Sequence, residues 1–539
     1  MEVRDAQTIP QLVEAAAVRY GGRSAIEGRR TKLTFSQLAR DGRRATRAFI
    51  AAGIEPGDRV AVWAQNIREW IVAAIGLQGA GGVLVPLNTR FKGAEAGYIL
   101  EKSGARILCT VEEFLDARYV DLLRSELGDA DGTRPVAGLE SLERIVLLRS
   151  AKAGDTTPAA TETWASFLAA GEVVSDDQAH ERSASVSAED ISDILFTSGT
   201  TGKPKGVMTT HGQNLRAFAA WSEVVGLREG DRYLIVNPFF HAFGYKAGWL
   251  SAIMRGATVY PQAVFNVARI LERVRQARIT VLPGPPTLYQ TILSHPDRHS
   301  CDLSSLRLAV TGAAAIPVAL VHRMREDIGF TSVITGYGLT EACGIATMCR
   351  HDDDPETIAT TSGRAIPGVE VRCVDAAGNE MPRGEQGEVV VRGYNVMRGY
   401  FDDAAATREA IDEDGWLHTG DIGVMDSRGY LRITDRIKDM YITGGFNCYP
   451  AEIEDIMREH PEVSQVAVIG VPDERMGEVG RAFVVPAPGH EPEPELLIGW
   501  CREHMANYKV PRSIEIVSEL PVNAMGKVMK YVLRERANA

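Results

Sequence analysis

The chain has 539 residues, which is too long for one compact core, so two or more domains are expected. Apolar residues make up 45% and charged residues 24%, the balance of an ordinary globular protein. The formal net charge is -12 and no basic face is evident, which argues against nucleic acid as the main partner.

The N-terminal segment has no basic head followed by an apolar stretch, so no secretory signal is predicted. No apolar run reaches the roughly 18–20 residues that a membrane-spanning helix needs. The seven cysteines are scattered and form no C-x-x-C pair, so a zinc site is not indicated. We therefore expect a cytoplasmic protein with reduced thiols and no membrane span.

The middle of the chain indicates a buried, largely parallel sheet. A polar segment from Gly154 to Ala188 is interpreted as a surface excursion. Beyond it, apolar runs end in loops rich in Gly, Pro or Thr, and helical spacing separates them. These runs are Ile191–Phe196, Tyr233–Val236, Ile279–Leu282 and Leu306–Val310. Ligands bind beyond the carboxyl ends of such strands, where these loops lie.

From Val369 the pattern changes to alternating segments between Gly-rich turns, which predicts a small antiparallel element. After Asp435 a compact α+β unit is predicted. Its helices are expected at Ala451–His460 and Glu495–Met505, and its strands at Val466–Val471, Ala482–Val485 and Ser513–Val517. The expected class is α/β: an N-terminal domain over 1–435, with layered α/β subdomains and a small β-barrel-like element, and a small mobile α+β domain over 436–539.

The segment Phe196-Thr-Ser-Gly-Thr-Thr-Gly-Lys-Pro-Lys-Gly predicts a phosphate-binding loop. Its glycines let the backbone approach an anion, and its hydroxyls, amides and lysines would surround that anion. The candidate residues are Thr197, Ser198, Gly199, Thr200, Thr201, Gly202, Lys203 and Lys205. The pattern G-x-x-x-x-G-K-[ST] is not matched, which disfavours kinases and P-loop ATPases.

This loop and the motifs that follow it resemble those of the adenylate-forming enzymes, which include acyl-CoA synthetases, luciferase and peptide-synthetase adenylation domains. Tyr337-Gly-Leu-Thr-Glu-Ala is similar to the second core motif of that family. The resemblance implies that Thr340 contacts the α-phosphate and that Glu341 holds Mg²⁺, a hard cation that prefers carboxylate and phosphate oxygens. It also implies that Tyr337 packs near the adenine, with Gly338 in the same site.

The same resemblance assigns the rest of the nucleotide. The turn Gly312, Ala313 and Ala314 resembles the adenine-binding turn of the family, where small side chains admit a flat base. Asp421, in Thr419-Gly-Asp, is expected to accept hydrogen bonds from the ribose hydroxyls, and Arg436 is expected to make a second ribose contact. Alone, each of these would be an ordinary turn or a surface charge.

Three further features are implied by the family likeness. Lys438 falls at the hinge about which the small domain turns. Lys527, in Pro521-Val-Asn-Ala-Met-Gly-Lys, corresponds to the catalytic lysine, whose cation would screen a carboxylate from the triphosphate. Gly444, Gly445 and Phe446 correspond to the loop that meets the pantetheine arm of coenzyme A. Many ligases carry Glu at position 446, which leaves the hydrogen bonding of this loop open.

The acyl pocket is expected around Asn237-Pro-Phe-Phe-His-Ala-Phe-Gly, which resembles the aromatic-gate motif of the family. His241 is the candidate catalytic residue of this motif, on the route of the thiol. The expected pocket segments are Phe239–Trp249 and Pro283–Thr287 with Gly336. The expected pocket residues are Phe240, His241, Phe243, Gly244, Tyr245 and Gly336. No charged residue is placed to pair with an amino group or a second carboxylate, so an apolar acid is favoured.

The resemblance implies an acid–thiol ligase that uses ATP, Mg²⁺ and coenzyme A and proceeds through an acyl-adenylate. The sequence is most similar to actinobacterial ligases that activate the indane propionate left from steroid rings, and to ligases for diterpenoid acids. A bulky polycyclic or alicyclic acid is therefore expected, with a medium-chain fatty acid as the alternative. The expected partners are the acid or its adenylate, ATP and coenzyme A; a homodimer is left open.

Other activities remain open at this point. The enzyme could perform only the thioesterification step on an adenylate made elsewhere. A carrier-loading adenylation enzyme shares the first half-reaction, but no carrier domain follows Lys527 in this sequence. A luciferase-like oxygenase has no specific support. A non-catalytic nucleotide-binding protein would be expected to lose Glu341, Lys527 or the loop lysines, and all are present.

Overall fold

The computed structural model describes residues 2–28, 31–128, 136–149, 158–197, 203–312, 316–436, 440–521, 528 and 530–538. The helices are α1 Ile9–Tyr20, α2 Phe35–Ala51, α3 Arg68–Gly79, α4 Gly93–Ser103, α5 Tyr119–Glu126, α6 Trp164–Ala170, α7 Asp176–Ser185, α8 His211–Val224, α9 Ala242–Gly244, α10 Ser251–Arg255, α11 Val267–Ala277, α12 Pro286–Ser294, α13 Val318–Arg323, α14 Pro355–Thr360, α15 Ala404–Ala410, α16 Pro450–Arg458, α17 Pro494–His504 and α18 Lys530–Asn538. Tyr245–Leu250 and Met324–Ile328 are π-helical, and Thr340–Ala342 is a 3₁₀ turn. Within these ranges, no helix has both the length and the apolar character needed to cross a membrane.

The strands of the N-terminal part are β1 Ser24–Glu27, β2 Lys32–Thr34, β3 Arg59–Trp63, β4 Val83–Pro86, β5 Ile107–Val111, β6 Arg144–Arg149, β7 Glu162–Thr163, β8 Ile191–Thr197, β9 Lys205–Thr210, β10 Arg232–Ile235, β11 Thr258–Pro261, β12 Leu308–Gly312, β13 Ser332–Tyr337, β14 Thr347–Met348 and β15 Arg364–Ala365. The later strands are β16 Val369–Val374, β17 Gln386–Gly393, β18 Gly399–Tyr400, β19 Leu417–Met425, β20 Leu431–Arg436, β21 Tyr441–Thr443, β22 Phe446–Cys448, β23 Val463–Asp473, β24 Gly477–Pro486 and β25 Ser513–Ile516.

The largest sheet has eight strands in the order β18-β9-β8-β4-β3-β5-β6-β7. Strands β3 to β8 pair in parallel within it, whereas β8–β9 and β9–β18 are antiparallel. Its central strands β4 and β5 are buried at every residue, as continuous apolar runs covered on both faces should be. Largely parallel pairing is confirmed, but of the predicted strands only Ile191–Phe196 lies in this sheet, as β8; those at Tyr233–Val236 and Leu306–Val310 belong to other sheets, where β10 pairs in parallel with β11 and β12 with β13. The phosphate-loop candidates lie at the β8–β9 end of the large sheet.

The predicted strand Ile279–Leu282 is wrong as a strand. Only Val281 forms β-bridges there, one to Tyr233 and one to Leu308, both parallel. Leu282 N and Gly284 N donate to Leu308 O and Val310 O, but Pro283, Pro285 and Pro286 have no backbone N–H to donate, so no continuous ladder forms. The bridges at Val281 still link β10 to β12, which places these two strand ends side by side.

The segment interpreted as a surface excursion is more ordered than predicted. Its described part contains β7, which pairs with β6, followed by α6 and α7. Thr163 caps α6, and Ser175 forms a capping box with Gln178 at the start of α7. These caps satisfy the free amides of short, weakly apolar helices, which a search for hydrophobic periodicity does not detect.

The C-terminal part follows the predicted pattern. Strands β16, β17, β19 and β20 form an antiparallel sheet, and β21 to β25 form a second sheet with α16 and α17. The predicted C-terminal elements are present with bounds shifted by one to several residues. One apolar core contains residues from Ile9 to Leu431, and separate cores contain residues from Tyr441 onward. The change of core falls between Leu431 and Tyr441, the interval that contains the predicted boundary, and the division into 1–435 and 436–539 stays a prediction.

A buried ion pair connects β8 to the π-helical turn Tyr245–Leu250. Lys246 Nζ lies 2.9 Å from Asp193 Oδ1, and neither side chain has exposed surface. Asp193 also accepts hydrogen bonds from Thr209 Oγ1 at 2.8 Å and Asn214 Nδ2 at 2.7 Å. Because every acceptor oxygen has a donor, the carboxylate is held within the core. The pair connects the β8–β9 hairpin to the π-helical turn that follows the predicted acyl-pocket motif.

His211, at the start of α8, gives the fold a dependence on pH. The side chain is 1% exposed, and Nδ1 accepts a hydrogen bond from Ile9 N. Burial lowers the pKa of His211 from its usual 6.5 to about 4. Below pH 6.5 the unfolded chain therefore binds a proton that the folded chain does not, so stability falls as the pH falls towards 4.

We expect the free energy of unfolding of the wild-type protein to fall by about 3 kcal/mol between pH 7 and pH 4 because of His211. His211→Asn keeps an acceptor for Ile9 N and should not show this loss. Urea unfolding of both proteins across this range would measure the difference, with His351→Asn, at an exposed position, as the control. Parallel pH profiles for wild type and His211→Asn would contradict the assignment.

Candidate functional site

The predicted phosphate loop joins β8 to β9, and β9 lies next to the edge strand β18 of the large sheet. Thr197 ends β8 and pairs with Lys205 at the start of β9. Ser198, Gly199, Thr200, Thr201 and Gly202 lie outside the described residues. Lys203 is exposed, with Nζ 6.0 Å from the centre of the Tyr98 ring. The two strands therefore bring Thr197 and Lys205 to the mouth of one loop, as a phosphate-binding turn requires.

The second motif begins where β12 and β13 end side by side. Gly312 and Gly336 are paired in this parallel ladder. A Cβ on Gly336 would lie 2.8 Å from Thr347 O, and one on Gly338 would lie 2.4 Å from Gly344 O. Neither position has room for a side chain, so both glycines are required by packing. Ala313 and Ala314 lie outside the described residues.

Two of the residues predicted to bind the nucleotide are hydrogen-bonded to each other. Tyr337 Oη donates a hydrogen bond of 2.6 Å to Asp421 Oδ2, and both side chains are buried. Asp421 lies on β19 directly opposite Arg436 on β20. The backbone thus brings together residues that are 84 and 15 positions apart in sequence. The side chain of Arg436 lies outside the described part of the structure.

Glu341 has a partner that the sequence motifs did not predict. Tyr400 Oη donates to Glu341 Oε1 at 2.9 Å, and Lys205 Nζ lies 5.1 Å from the centre of the Tyr400 ring. Tyr400 is on β18, the edge strand that pairs with β9, and Met397 N donates to Glu341 O just before it. The only sequence signal was a tyrosine after a Gly in a strand-like segment, which is too common to be specific.

The surroundings of Glu341 suit a hard cation. Burial raises the pKa of Glu341, with a smaller contribution in the same direction from Asp421, while the Tyr400 hydroxyl and Lys205 act against the rise. Thr340 opens the 3₁₀ turn that carries Glu341. A metal ion at this carboxylate would oppose the cost of burying its charge, and one or two carboxylates with phosphate oxygens are the usual ligands of Mg²⁺.

The predicted acyl pocket is formed around a short helix, α9. His241 caps this helix: its Nδ1 accepts from Phe243 N at 3.3 Å. The side chain reaches solvent, and partial desolvation lowers the pKa of His241 from its usual value, which favours the neutral imidazole. Gly244 is packed so closely that a Cβ would lie 2.1 Å from Pro238 O.

The other pocket candidates differ in exposure. Phe240 and Phe243 are half-buried, as residues on the wall of a cavity would be. Tyr245 has no exposed surface: its hydroxyl accepts from Gln78 Nε2 at 2.8 Å, and its ring stacks on Trp249 with centroids 4.8 Å apart. Tyr245 thus forms the layer behind the wall, where it supports α9 and the π-helical turn.

The predicted thiol loop is the tight turn of the β21–β22 hairpin. Thr443 pairs with Phe446, and between them Gly444 and Gly445 have φ of 56° and 88°. Two consecutive positive φ angles are those of a type I′ turn, which favours glycine. A Cβ on Gly445 would lie 3.6 Å from Cβ of Pro285, so the turn meets the loop after Val281. Lys438 and Lys527 lie outside the described residues.

Comparison with known proteins finds two family profiles and relatives that span most of the chain. The profile of the AMP-binding enzyme family matches residues 13–401, and that of the AMP-binding enzyme C-terminal domain matches residues 452–527. A 7a-methyl-1,5-dioxo-octahydro-1H-inden-4-yl propanoyl:CoA ligase of Rhodococcus jostii (strain RHA1) is 49% identical over 98% of both chains. The ligase of the same name from Mycobacterium tuberculosis (strain ATCC 25618 / H37Rv) is 47% identical over 99% of both.

A solved structure has the same fold. The o-succinylbenzoate CoA synthetase of Bacillus subtilis, a double mutant bound with its product analogue, superposes with a TM-score of 0.78 at 27% identity, covering 97% of this chain and 98% of that one. The predicted α/β class is confirmed by this likeness. Because the family profile covers most of the chain and relatives match almost its full length, this protein belongs to the AMP-binding enzyme family.

Proposed function

We propose that the chain is an AMP-forming acyl-CoA ligase, which converts a fused-ring carboxylic acid, ATP and coenzyme A into acyl-CoA, AMP and pyrophosphate. The observation that carries this proposal is the contact of the Gly444–Gly445 turn with Pro285, beside the predicted acyl pocket. A turn of two glycines leaves room for a narrow chain such as a pantetheine arm. The Glu341–Tyr400 pair supplies the nucleotide half of the same site.

For the nucleotide, we assign the triphosphate to the β8–β9 loop and the ribose to Asp421 with Arg436. The adenine is assigned to the turn at Gly312 and to Tyr337. Glu341 would hold Mg²⁺ together with phosphate oxygens, and Thr340 would donate to the α-phosphate. When bound, this ion neutralises charge on the phosphates. The buried Tyr337–Asp421 bond supports the ribose assignment, because it fixes the carboxylate before ligand arrives.

In the first half-reaction a carboxylate oxygen of the acid bonds to the α-phosphorus of ATP, and the bond to pyrophosphate breaks. Lys527 would screen the approaching negative charges. In the second, the coenzyme A sulfur loses its proton and bonds to the acyl carbon, and AMP leaves. Neutral His241 would line the path of the thiol. Between the two steps, the 436–539 domain would turn about Lys438.

The substrate class is supported by the names of the two relatives and by the residues at the pocket. An octahydro-indenyl propanoyl group is a fused bicyclic ring with a short acidic chain. Phe240, Phe243 and Pro285, in the predicted pocket segments, are half-buried and offer apolar surface. Apolar surface without a pairing charge favours an apolar ring system, because burying it needs no polar partner.

The purified protein should be incubated with ATP, Mg²⁺, coenzyme A and a panel of fused-ring and linear acids, and pyrophosphate, AMP and acyl-CoA should be followed together. We expect all three products from a fused-ring acid. Lys527→Ala should lose pyrophosphate release and keep thioester formation from a synthetic acyl-adenylate. Lys32→Ala, at an exposed position, is the matched control and should retain both activities.

Each other outcome identifies a competing function. Preference for a linear acid would replace the fused-ring substrate with a medium-chain fatty acid. Acyl-CoA from a synthetic adenylate, without pyrophosphate from any acid, would indicate an enzyme of the second half-reaction only. Pyrophosphate without consumption of coenzyme A would indicate a carrier-loading enzyme, and no turnover at all would indicate a nucleotide-binding protein.

A further inference from the structure

Two consecutive residues of the C-terminal unit contact the N-terminal part of the chain through side chains. Asn88 Nδ2 donates to Tyr508 Oη at 3.1 Å, and Lys509 Nζ donates to Glu95 Oε1 at 2.5 Å. Asn88 follows β4 and Glu95 lies in the first turn of α4. The Lys509 side chain is only 2% exposed, so this polar contact is buried between parts of the chain that have separate apolar cores.

Lys509 has a carboxylate from each side of this interface. Besides Glu95, it donates to Glu452 Oε1 on α16 at 2.6 Å, and its Nζ lies 4.9 Å from the centre of the Phe91 ring. Burial lowers the pKa of Lys509, but Glu95, Tyr508 and Glu452 outweigh it and raise the pKa well above its usual range. A buried ion pair adds little net stability but strongly disfavours arrangements that leave a buried charge unpaired. Among closed arrangements, in which these surfaces are buried against each other, the cluster therefore selects one orientation of the two parts.

The contact between Glu95 and Lys509 can separate without leaving either charge unpaired. Glu95 Oε2 accepts a hydrogen bond of 2.9 Å from Lys92 N, which caps α4. If the two parts separate, Glu95 keeps this bond and Lys509 keeps Glu452. Neither charge is left without a partner, so the cost of opening is limited to the interface itself. Such a contact suits a domain that must leave this orientation and return to it.

The thiol loop is coupled to this interface through an aromatic stack. The rings of Phe446 and Tyr508 lie 4.5 Å apart and nearly parallel, at 21°. Cys448, on the same hairpin strand as Phe446, donates through Sγ to Tyr508 O at 3.2 Å. The stack gives Phe446 a role that does not need the hydrogen bonds of a glutamate. Any displacement of Tyr508 would be transmitted to the Gly444–Gly445 turn.

We infer that the Glu95–Lys509 pair and the Asn88–Tyr508 bond, acting through Phe446, position the Gly444–Gly445 turn beside the acyl pocket for thioester formation. The inference rests on the proposed function and adds positioning residues to its second half-reaction. None of these residues is among those assigned to ATP or the acid. Substitution of these positioning residues should therefore slow thioester formation and leave formation of the acyl-adenylate intact.

The test is Glu95→Gln, which removes the charge and keeps an oxygen for Lys92 N. The rate of thioester formation from a synthetic acyl-adenylate should fall about 10-fold, because small misplacements at a reacting centre are costly. Acid-dependent pyrophosphate release should stay within about twofold, and Glu95→Asp should recover part of the lost rate. Tyr508→Phe keeps the stack on Phe446, so its rate of thioester formation should fall less than that of Glu95→Gln. Glu101→Gln, at an exposed position of α4, is the matched control.

A second readout does not depend on activity. Spin labels at exposed positions Val18 and Leu496, in a Cys301→Ser background, report the distance between the two parts. We expect one dominant distance in the parent protein and a broadened or shifted distribution in Glu95→Gln. Equal losses in both half-reactions, or no change in rate and distance, would overturn the inference. A wild-type protein that forms no thioester would instead overturn the proposed function.

Discussion

Glu341→Gln is expected to lower acid-dependent pyrophosphate release about 100-fold, a loss typical of removing one group aimed at the charge that develops in the transition state. The amide has nearly the same shape and can still accept the bond from Tyr400 Oη. What is lost is the negative charge that a hard cation prefers. Mg²⁺ titrations should show a higher half-saturating concentration, and Mn²⁺ binding in the presence of ATP, followed by electron paramagnetic resonance, should weaken in parallel.

Glu413→Gln is the matched control for this prediction, since Glu413 is an exposed acid in a turn before β19. It should leave both the rate and the metal dependence unchanged. If Glu341→Gln left the Mg²⁺ dependence and the Mn²⁺ affinity at wild-type values, Glu341 could not be the metal ligand. A rate loss with unchanged metal affinity would assign Glu341 to positioning of the nucleotide.

Lys246→Met is expected to destabilise the folded protein by about 3–5 kcal/mol, the range found when one partner of a buried ion pair is removed. The methionine fills a similar volume, but the carboxylate of Asp193 keeps its charge without a counter-charge. Asp193→Asn added to Lys246→Met removes that charge and should restore most of the lost stability. Urea unfolding of the three proteins measures both effects.

Lys102→Met serves as the comparison, because Lys102 pairs with Asp402 at the surface. Exposed pairs of this kind contribute about 0–1 kcal/mol, so the loss should be small. If Lys246→Met cost no more than Lys102→Met, the carboxylate of Asp193 would have to be stabilised adequately by Thr209 and Asn214 alone. If the double variant did not recover stability, the loss in Lys246→Met would come from poor packing of the methionine and not from the unpaired charge.

The parts of the site that the sequence could predict are those carried by short local patterns. Thr197 and Lys205 stand at the two ends of one loop, while Gly336 lies near the end of β13 and Glu341 follows that strand, so each motif is placed by its own strand. Glycines without room for a Cβ, such as Gly338, are expected in such motifs. Parallel strand order then brings the ends of β12 and β13 together.

Partners distant in sequence could not be predicted in the same way. Tyr400 reaches Glu341 only because β18 adds to the edge of β9, and a two-residue strand has no sequence signature. Lys509 meets Glu95 across 414 positions. A lysine and a glutamate are both common on surfaces, so nothing local marks this pair as buried. The same holds for Asp193 and Lys246, whose charges fall within apolar segments.

The π-helical turn Tyr245–Leu250 has a consequence for how the pocket could change over generations of related genes. A π-helical turn holds one more residue than the α-helical turn it replaces, and each residue of a helix rotates the chain by about 100°. A substitution alters one side chain of the predicted pocket wall, whereas loss of one codon here would close the wide turn to an α-helical turn and leave the segments on either side facing as before. Insertion or loss of one residue should therefore be tolerated better here than in a regular α-helix, where it would rotate one end by about 100° relative to the other.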